Sequence, residues 1–398
     1  MRVLIANKYY YNKGGDCNYA IGLEQLLMSR GHKTAFFAMQ HPENITSLYS
    51  KYFPSEVDYL KRSFSDLRKQ ISRPICPKEV KMKFNALLHD FKPDILHVNN
   101  IHSQISPIIV KEAYLRKIPV VWTLHDYKLL CPRYDCLRNQ QACELCFLSK
   151  WNVVRYACIK NSRLASILGY LEAKFWNRKK LERLTSQFIC PSQFMKQNMI
   201  SGGFASEKLT ALNNFINLKN LSNVAEKRSD YYCYVGRLSH EKGLVTFLKA
   251  ASNLPQYRLK VIGDGPLLDF LQTEFKAEHI EFYGHINSAE VNEVISKAAF
   301  MVIPSEWYEN NPLSVIESLC SGTPVLGANI GGIPEMIEPG RNGLLFESGN
   351  VFNLVSKLKE MMLARDSYNY NRIALNARTL FSSENYYQKI MNLYTSLK

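Results

Sequence analysis

The chain has 398 residues, 46% of them hydrophobic, which is too long for one ordinary domain and apolar enough for two sizeable cores. No window offers the roughly 18 apolar residues of a membrane-spanning helix, and the opening MRVLIANKYY has no signal-peptide pattern, so a soluble, cytoplasmic protein is expected. Fifty Lys and Arg against 35 Asp and Glu give a formal charge of +15, which leaves nucleic acid, an anionic membrane surface or phosphorylated ligands as candidate partners.

The excess is uneven. Residues 51–83 hold nine basic residues against four acids, and residues 150–183 hold nine against two. In chain order, residues 1–6 read as a buried strand. Residues 19–29 carry apolar residues at helical spacing, closed by Arg30-Gly31, and residues 34–39 read as a second strand. This β-loop-α-β opening starts a doubly wound sheet. Gly14-Gly15 lies where a phosphate or sugar could approach a helix start, and a plain turn fits it equally well. Residues 44–90 are polar and basic, read as helices with loops. Residues 94–98 (DILHV) and 119–124 (PVVWTL) are further buried strands, the second running into His125-Asp126. A histidine at that edge either contacts substrate or ties down its own loop.

A cysteine-rich segment follows, and then residues 163–184. Leu164, Ile167, Leu168, Leu171 and Phe175 mark one helix face, trailed by Arg178, Lys179, Lys180 and Arg183. Two readings fit: an amphipathic element for a membrane surface, or a core-packed helix with a solvated basic face. Residues 188–190 form a strand before another helix. The Asn-rich run 213–230 reads as the linker.

Beyond it, strands at 231–235, 259–262, 280–283, 299–303 and 324–326 alternate with helices, which predicts a second parallel sheet. Each strand end there carries flexible or polar groups. GRLSHEKG places Arg237 and Lys242 in one loop, Gly263-Asp264-Gly265 follows the second strand, and Gly284-His285-Ile286 the third. After the fourth comes PSEWYENNPLSVIESLCSG, residues 304–322, with Asn311 as expected N-cap, Pro312 at the first helical position and Gly322 at the stop. Glu309 precedes that helix and Glu317 lies more than a turn inside it. Amides at the helix start suit an anion, and the two carboxylates suit hydroxyl groups; solvated surface acids are the bland alternative.

This set suits transfer from a nucleotide-diphosphate donor. Arg237 and Lys242, with the Asn311, Pro312 and Leu313 helix start, would stabilise the leaving diphosphate. The chain contains no Asp-x-Asp pair, so the leaving-group site is expected to be metal-independent, with no cofactor required for catalysis.

Residues 231–346 resemble the C-terminal domain of the retaining family-four glycosyltransferases (glycosyl transferases group 1). The resemblance rests on YVGRLSHEKG, VIGDGP, the Glu-x7-Glu pair Glu309 and Glu317, SLCSGTPVLG and GGIPEMIEPGRNGLLF, together with the N-terminal Gly-Gly loop and TLHD. It implies the GT-B fold, an α/β architecture of two Rossmann-like doubly wound parallel-sheet domains facing across a cleft. The expected division is 1–215 on the acceptor side, 216–380 for the nucleotide sugar, and a 381–398 helix packing back on the first domain. The resemblance places Glu317 on the ribose hydroxyls and Glu309 on the donor sugar. It puts Arg237 and Lys242 on the diphosphate, and Asn310, Asn311, Pro312 and Leu313 at the donor. Gly284, His285 and Ile286 would meet the base, His125 the donor sugar, and Gly15 phosphate or acceptor.

The implied activity is retaining transfer, from a UDP-sugar first and a GDP-sugar second, to a glycan or lipid-linked acceptor in cell-envelope polysaccharide biosynthesis. An anionic membrane surface at the inner face of the cell membrane is the expected partner beside donor and acceptor. No nucleic-acid motif appears. Alternatives are a nucleotide-sugar epimerase of the same fold and a non-catalytic nucleotide-sugar-binding protein.

Five of ten cysteines fall between 131 and 158. Cys143 and Cys146 make a C-x2-C knuckle suited to zinc, and Cys131, Cys136 and Cys158 compete for the remaining places. A comparable insert in a subset of similar polysaccharide glycosyltransferases implies Cys131, Cys143, Cys146 and Cys158 as ligands of a structural zinc, with Cys136 as the alternative. Unliganded thiols and an iron–sulfur or redox role also fit.

Overall fold

Short apolar runs bounded by loops suit strands buried on both faces, which parallel sheets require. The computed structural model describes residues 1–59, 69–75, 77–221, 223–225 and 227–398. Its strands, in chain order, are β1 (Arg2–Ala6), β2 (Lys33–Phe37), β3 (Ile95–Val98), β4 (Val120–Thr123), β5 (Leu137–Arg138), β6 (Gln141–Ala142), β7 (Gln187–Cys190) and β8 (Leu209–Ala211), then β9 (Tyr231–Val235), β10 (Arg258–Ile262), β11 (Ile280–Gly284), β12 (Met301–Ile303), β13 (Val325–Ala328) and β14 (Gly343–Phe346). The chain divides into two units. Unit 1 holds residues 1–136, 143–212 and 387–398, and unit 2 holds 137–142 and 213–386.

Unit 1 contains a six-stranded sheet in the order β2-β1-β3-β4-β7-β8, every pairing parallel. Unit 2 contains another, β11-β10-β9-β12-β13-β14, again all parallel. Counted within unit 2 this is the 3-2-1-4-5-6 order of the doubly wound nucleotide-binding fold. The edge strands β8 and β14 and the small antiparallel hairpin β5–β6 go beyond the strands expected from the sequence. The polar stretch 44–90 contains a short 3-10 turn (Ser50–Tyr52) and a helix (Lys78–Phe91), while residues 60–68 and 76 lie outside the described residues, as do 222 and 226 of the linker stretch.

The last residues complete unit 1. Tyr394 is fully buried, and its hydroxyl meets His97 Nδ1 at 2.5 Å. His97 Nε2 meets Thr123 Oγ1 at 2.8 Å. Burial lowers the His97 pKa to about 3, so this ring is a neutral hydrogen-bond bridge. Tyr387 meets His32 at 2.8 Å, and Lys398 pairs with Asp94 at 3.3 Å.

The helix Arg163–Phe175, capped by Ser162 on the Ala165 amide, departs from the core-packed alternative. It buries Ser166, Gly169 and Glu172 and turns its apolar stripe outward. Glu172 explains the choice. Its carboxylate accepts from the Ser103 amide and hydroxyl and pairs with Lys128 at 3.1 Å, and a buried charge so satisfied cannot be rolled out to solvent without loss of its partners. Among the described residues no helix is long and apolar enough to cross a membrane.

Candidate active site

In an open parallel sheet, ligands gather where the strand order reverses, beyond the carboxyl ends of the strands. In unit 2 that point lies between β9 and β12, and two loops leave there. The loop after β9 ends in a 3-10 turn, His240–Lys242, before the helix Leu244–Ser252. Gly243 closes the turn at φ 69°, and a Cβ there would stand 1.9 Å from the Pro304 carbonyl oxygen. Only glycine lets this loop lie against the β12 loop. The Glu306 amide donates to the Glu241 carbonyl at 2.9 Å, sealing the two loops together.

This contact brings Lys242 to Glu309, with Nζ 2.6 Å from Oε1. Ser305 Oγ donates to the same oxygen at 2.8 Å, and Lys242 stands over the Trp307 ring, 5.1 Å from its centroid. Glu309 is 6% exposed. Burial alone would raise its pKa, but Lys242, Trp307 and Ser305 hold the carboxyl below the usual range. The pair is therefore ionised, with the Glu309 backbone fixed by the Gly332 amide at 2.6 Å.

The helix that follows runs Leu313–Cys320 and is capped by Pro312, not Asn311. Asn311 is occupied otherwise: its Oδ1 accepts from the Asn214 amide at 2.7 Å, and its carbonyl accepts from Asn214 Nδ2 at 2.9 Å. The expected cap role is thereby corrected, and Asn311 instead ties the start of unit 2 to the helix entry. The first-turn amides still point out of the helix start, as any α-helix requires. Glu317, one turn on, is half-buried, and among the described residues its carboxylate accepts no hydrogen bond. Burial raises its pKa to about 7.

Arg237 lies in the β9 loop with an exposed side chain, and it makes no ion pair among the described residues. Gly284 ends β11, the outermost strand of the sheet, and His285 and Ile286 follow it, with the Gly284 carbonyl accepting from the Gly263 amide at 2.8 Å. Lys242, Glu309, Asn310, Asn311, Pro312 and Leu313 thus share one switch point, while Gly284 to Ile286 stand two strands away from β9.

Unit 1 has its own switch point, between β1 and β3. Asparagines follow both strands. The Asn100 amide donates to Asn7 Oδ1 at 3.1 Å, and Asn100 Nδ2 donates to Asp16 Oδ2 at 2.9 Å. Gly15 is the first residue of the helix Gly15–Ser29, which presents Asp16 in its first turn, 3.8 Å from Lys8. His125 Nε2 donates to Asn99 Oδ1 at 2.9 Å, leaving Nδ1 as the acceptor, and its ring meets Tyr19 edge-on. Burial lowers the His125 pKa to about 4 despite the pull of Asp16, so the ring is neutral at physiological pH. Asp16, Lys8 and the three asparagines escape sequence reading because single polar residues after a strand have no diagnostic spacing.

The cysteine insert assembles a different set from the one its spacing implies. Cys131, Cys136 and Cys146 are buried, and Cys131 is hydrogen-bonded by the other two. Cys158 lies near Cys146. Cys143 donates its amide to the Cys136 carbonyl at 2.7 Å, with no thiol contact among the described residues. Lys150 Nζ reaches the Cys146 carbonyl at 2.9 Å, and burial lowers its pKa to about 8 against the pull of the thiols. Among the described residues no group of three His, Cys, Asp or Glu side chains is arranged to hold a metal ion, and the described cysteines are unbridged thiols.

Comparison with known proteins decides the family. The model for Glycosyltransferase Family 4 matches residues 14–220, more than half of the chain, and that for Glycosyl transferases group 1 matches residues 219–379. The chain belongs to the family 4 glycosyltransferases. Sulfoquinovosyl transferase SQD2 of Arabidopsis thaliana is 26% identical to this glycosyltransferase over 297 residues, 70% of the chain but only 51% of SQD2, so the chain spans about half of that relative. A protein of the Klebsiella pneumoniae cps region is 23% identical over 84% of the chain and 87% of its own length. The O-antigen biosynthesis glycosyltransferase WbnH of Escherichia coli is 30% identical over 58% of the chain and 64% of its own. Among solved structures, sucrose-phosphate synthase of Thermosynechococcus elongatus matches with a TM-score of 0.74 at 18% identity, over 100% of this chain and 98% of that one. Anabaena HepE, solved with UDP, matches with a TM-score of 0.69 at 17% identity over the whole of both chains. At these identities the solved structures show the fold, which is that of the two-domain GT-B glycosyltransferases.

Proposed function

We propose that this glycosyltransferase moves a sugar, with retention, from a UDP-sugar to a glycan or lipid-linked acceptor of cell-envelope polysaccharide. The observation that carries the reading is the ionised Lys242–Glu309 pair at the switch point of unit 2. Support for the setting comes from one relative of a cps region and another named for O-antigen biosynthesis, and support for the donor from a fold neighbour solved with UDP and with UDP-glucose.

In the reaction the bond from the anomeric carbon to the diphosphate oxygen breaks, and its electron pair leaves with the diphosphate. The acceptor oxygen bonds the same face of that carbon, and its proton passes to the departing phosphate oxygen. Negative charge grows on the diphosphate as the bond stretches. Lys242, Arg237 and the amides from Leu313 onward supply the opposing charge, so the leaving group needs no divalent ion. Glu309 holds donor-sugar hydroxyls with the oxygens not spent on Lys242. Glu317 holds the ribose hydroxyls, Gly284 to Ile286 the base, and Asn310 and Asn311 the loop that carries Glu309. On unit 1, His125 and Gly15, the latter at a helix start, are proposed as substrate-contacting residues.

Product analysis tests the reading. With a UDP-sugar and a cell-envelope acceptor fraction, the protein should give UDP and an extended acceptor of unchanged anomeric configuration. An epimerised nucleotide sugar formed from donor alone would make it an epimerase, and tight donor binding without turnover would make it a binding protein.

We propose that zinc binding would draw Cys131, Cys146 and Cys158, with Cys143 or Cys136 as the fourth ligand, into a structural site, since the described thiols are not already arranged as one. Protein purified without chelator should then carry close to one zinc, and less than ~0.2 per chain would remove the site, because a four-thiolate centre holds its metal tightly.

A further inference from the structure

Unit 1 carries an apolar surface that its own core does not use. On the helix Arg163–Phe175, Leu164 is 77% exposed, Ile167 36%, Leu168 37%, Leu171 41% and Phe175 44%. These residues recur at intervals of three and four and form one continuous stripe. The insert extends it: Trp151, 52% exposed, packs edge-on against Tyr170, and Leu148 is 91% exposed. A run of large exposed apolar side chains on one face marks an interaction surface.

The stripe cannot be a helix waiting to roll inward. The opposite face is locked by Glu172 on Lys128 and Ser103. Gly169 lies against the insert so closely that a Cβ would meet Ile159 Cδ1 at 2.4 Å. The apolar face is therefore held outward by the packing beneath it.

Charge identifies the occupant. Arg155, Lys160, Arg163, Lys174, Lys179 and Arg183 are exposed on this and the flanking elements. Both acids of the segment are already paired, Glu172 with Lys128 and Glu182 with Arg178 at 3.5 Å. A second copy of this face would set like charges against each other. An anionic bilayer neutralises them and accepts Leu, Ile and Phe into its interface, with Trp151 at headgroup level. We infer that this helix and the tip of the insert are the surface by which unit 1 docks on an anionic membrane. The surface lies wholly within unit 1, and its test reads binding rather than turnover, so it stands or falls separately from the glycosyl-transfer reading.

The experiment is vesicle sedimentation of the full chain, using phosphatidylcholine alone or with about 30% phosphatidylglycerol. The wild type should bind the anionic vesicles. Binding should fall ~10-fold or more in Leu164→Ser/Leu168→Ser/Leu171→Ser, and similarly when salt rises to about 0.5 M. The circular dichroism and melting temperature of the variant should stay unchanged, because these side chains are exposed. A blue shift of tryptophan fluorescence on binding should be lost in Trp151→Phe. Equal binding by wild type and variant, or no binding by the wild type, would overturn the inference. So would a wild-type dimer that the triple substitution breaks into monomers.

Discussion

Lys242→Ala is expected to lower kcat/KM for the sugar nucleotide by ~100-fold or more, the scale of losing one charge aimed at a developing anion. The effect should fall on kcat as well as KM, because the negative charge it opposes is larger in the transition state than in the ground state. The structure adds a second consequence. Glu309 is buried, and Lys242 is its only ion-pair partner among the described residues. Deleting Lys242 leaves a carboxylate in a low-dielectric site, and broken buried pairs of this kind cost about 3–5 kcal/mol. The variant should therefore lose thermal stability together with turnover. Lys242→Arg keeps the charge but not the compact ammonium that fits 2.6 Å from Glu309, so it should restore stability more fully than activity.

Glu317→Gln is expected to weaken UDP binding ~10-fold or more while raising the melting temperature at pH 8. Burial raises the Glu317 pKa to about 7, above its unfolded value. A carboxyl raised in this way is tolerated while protonated, and its stability contribution is lost as pH rises through about 7. Glutamine removes that penalty, so the stabilisation should grow between about pH 4.5 and 7, be complete above pH 7 and vanish near pH 4. The same linkage predicts that wild-type affinity for UDP falls as pH drops below about 7, since ribose hydroxyls favour the ionised acceptor. A carboxylate kept at a stability cost is what a ligand site looks like, and a surface acid would give neither effect.

Much of this was legible because α/β sheets announce themselves locally. The β9 and β12 runs are apolar and β10 and β11 are apolar at their buried positions, each ends in a Gly-rich or polar loop, and the two glutamates flank Pro312. What escaped has physical reasons. The edge strands β8 and β14 are short and set within polar or Gly-rich stretches (SEKLTALNNF and GRNGLLFESG), so no buried apolar run stands out. Asn311 fits a cap by sequence position, but Asn214, 97 residues away, takes its side chain. The apolar stripe of Leu164 to Phe175 is visible as a period, yet period alone cannot say which side meets the core. That was decided by Glu172 and its partners Lys128 and Ser103. The cysteine spacing selects Cys143, but the hairpin β5–β6 returns the chain so that Cys136 rather than Cys143 joins Cys131 and Cys146.

The central claim is that the Lys242–Glu309 pair handles the donor and is not merely a clasp between two loops. The Lys242→Ala/Glu309→Gln double variant separates these roles when its melting temperature and transfer rate are measured together. With no charge left to bury, its melting temperature should return close to that of the wild type, while kcat/KM should remain down by ~100-fold or more. Recovery of both stability and near-normal turnover would show the pair to be structural and would contradict the account.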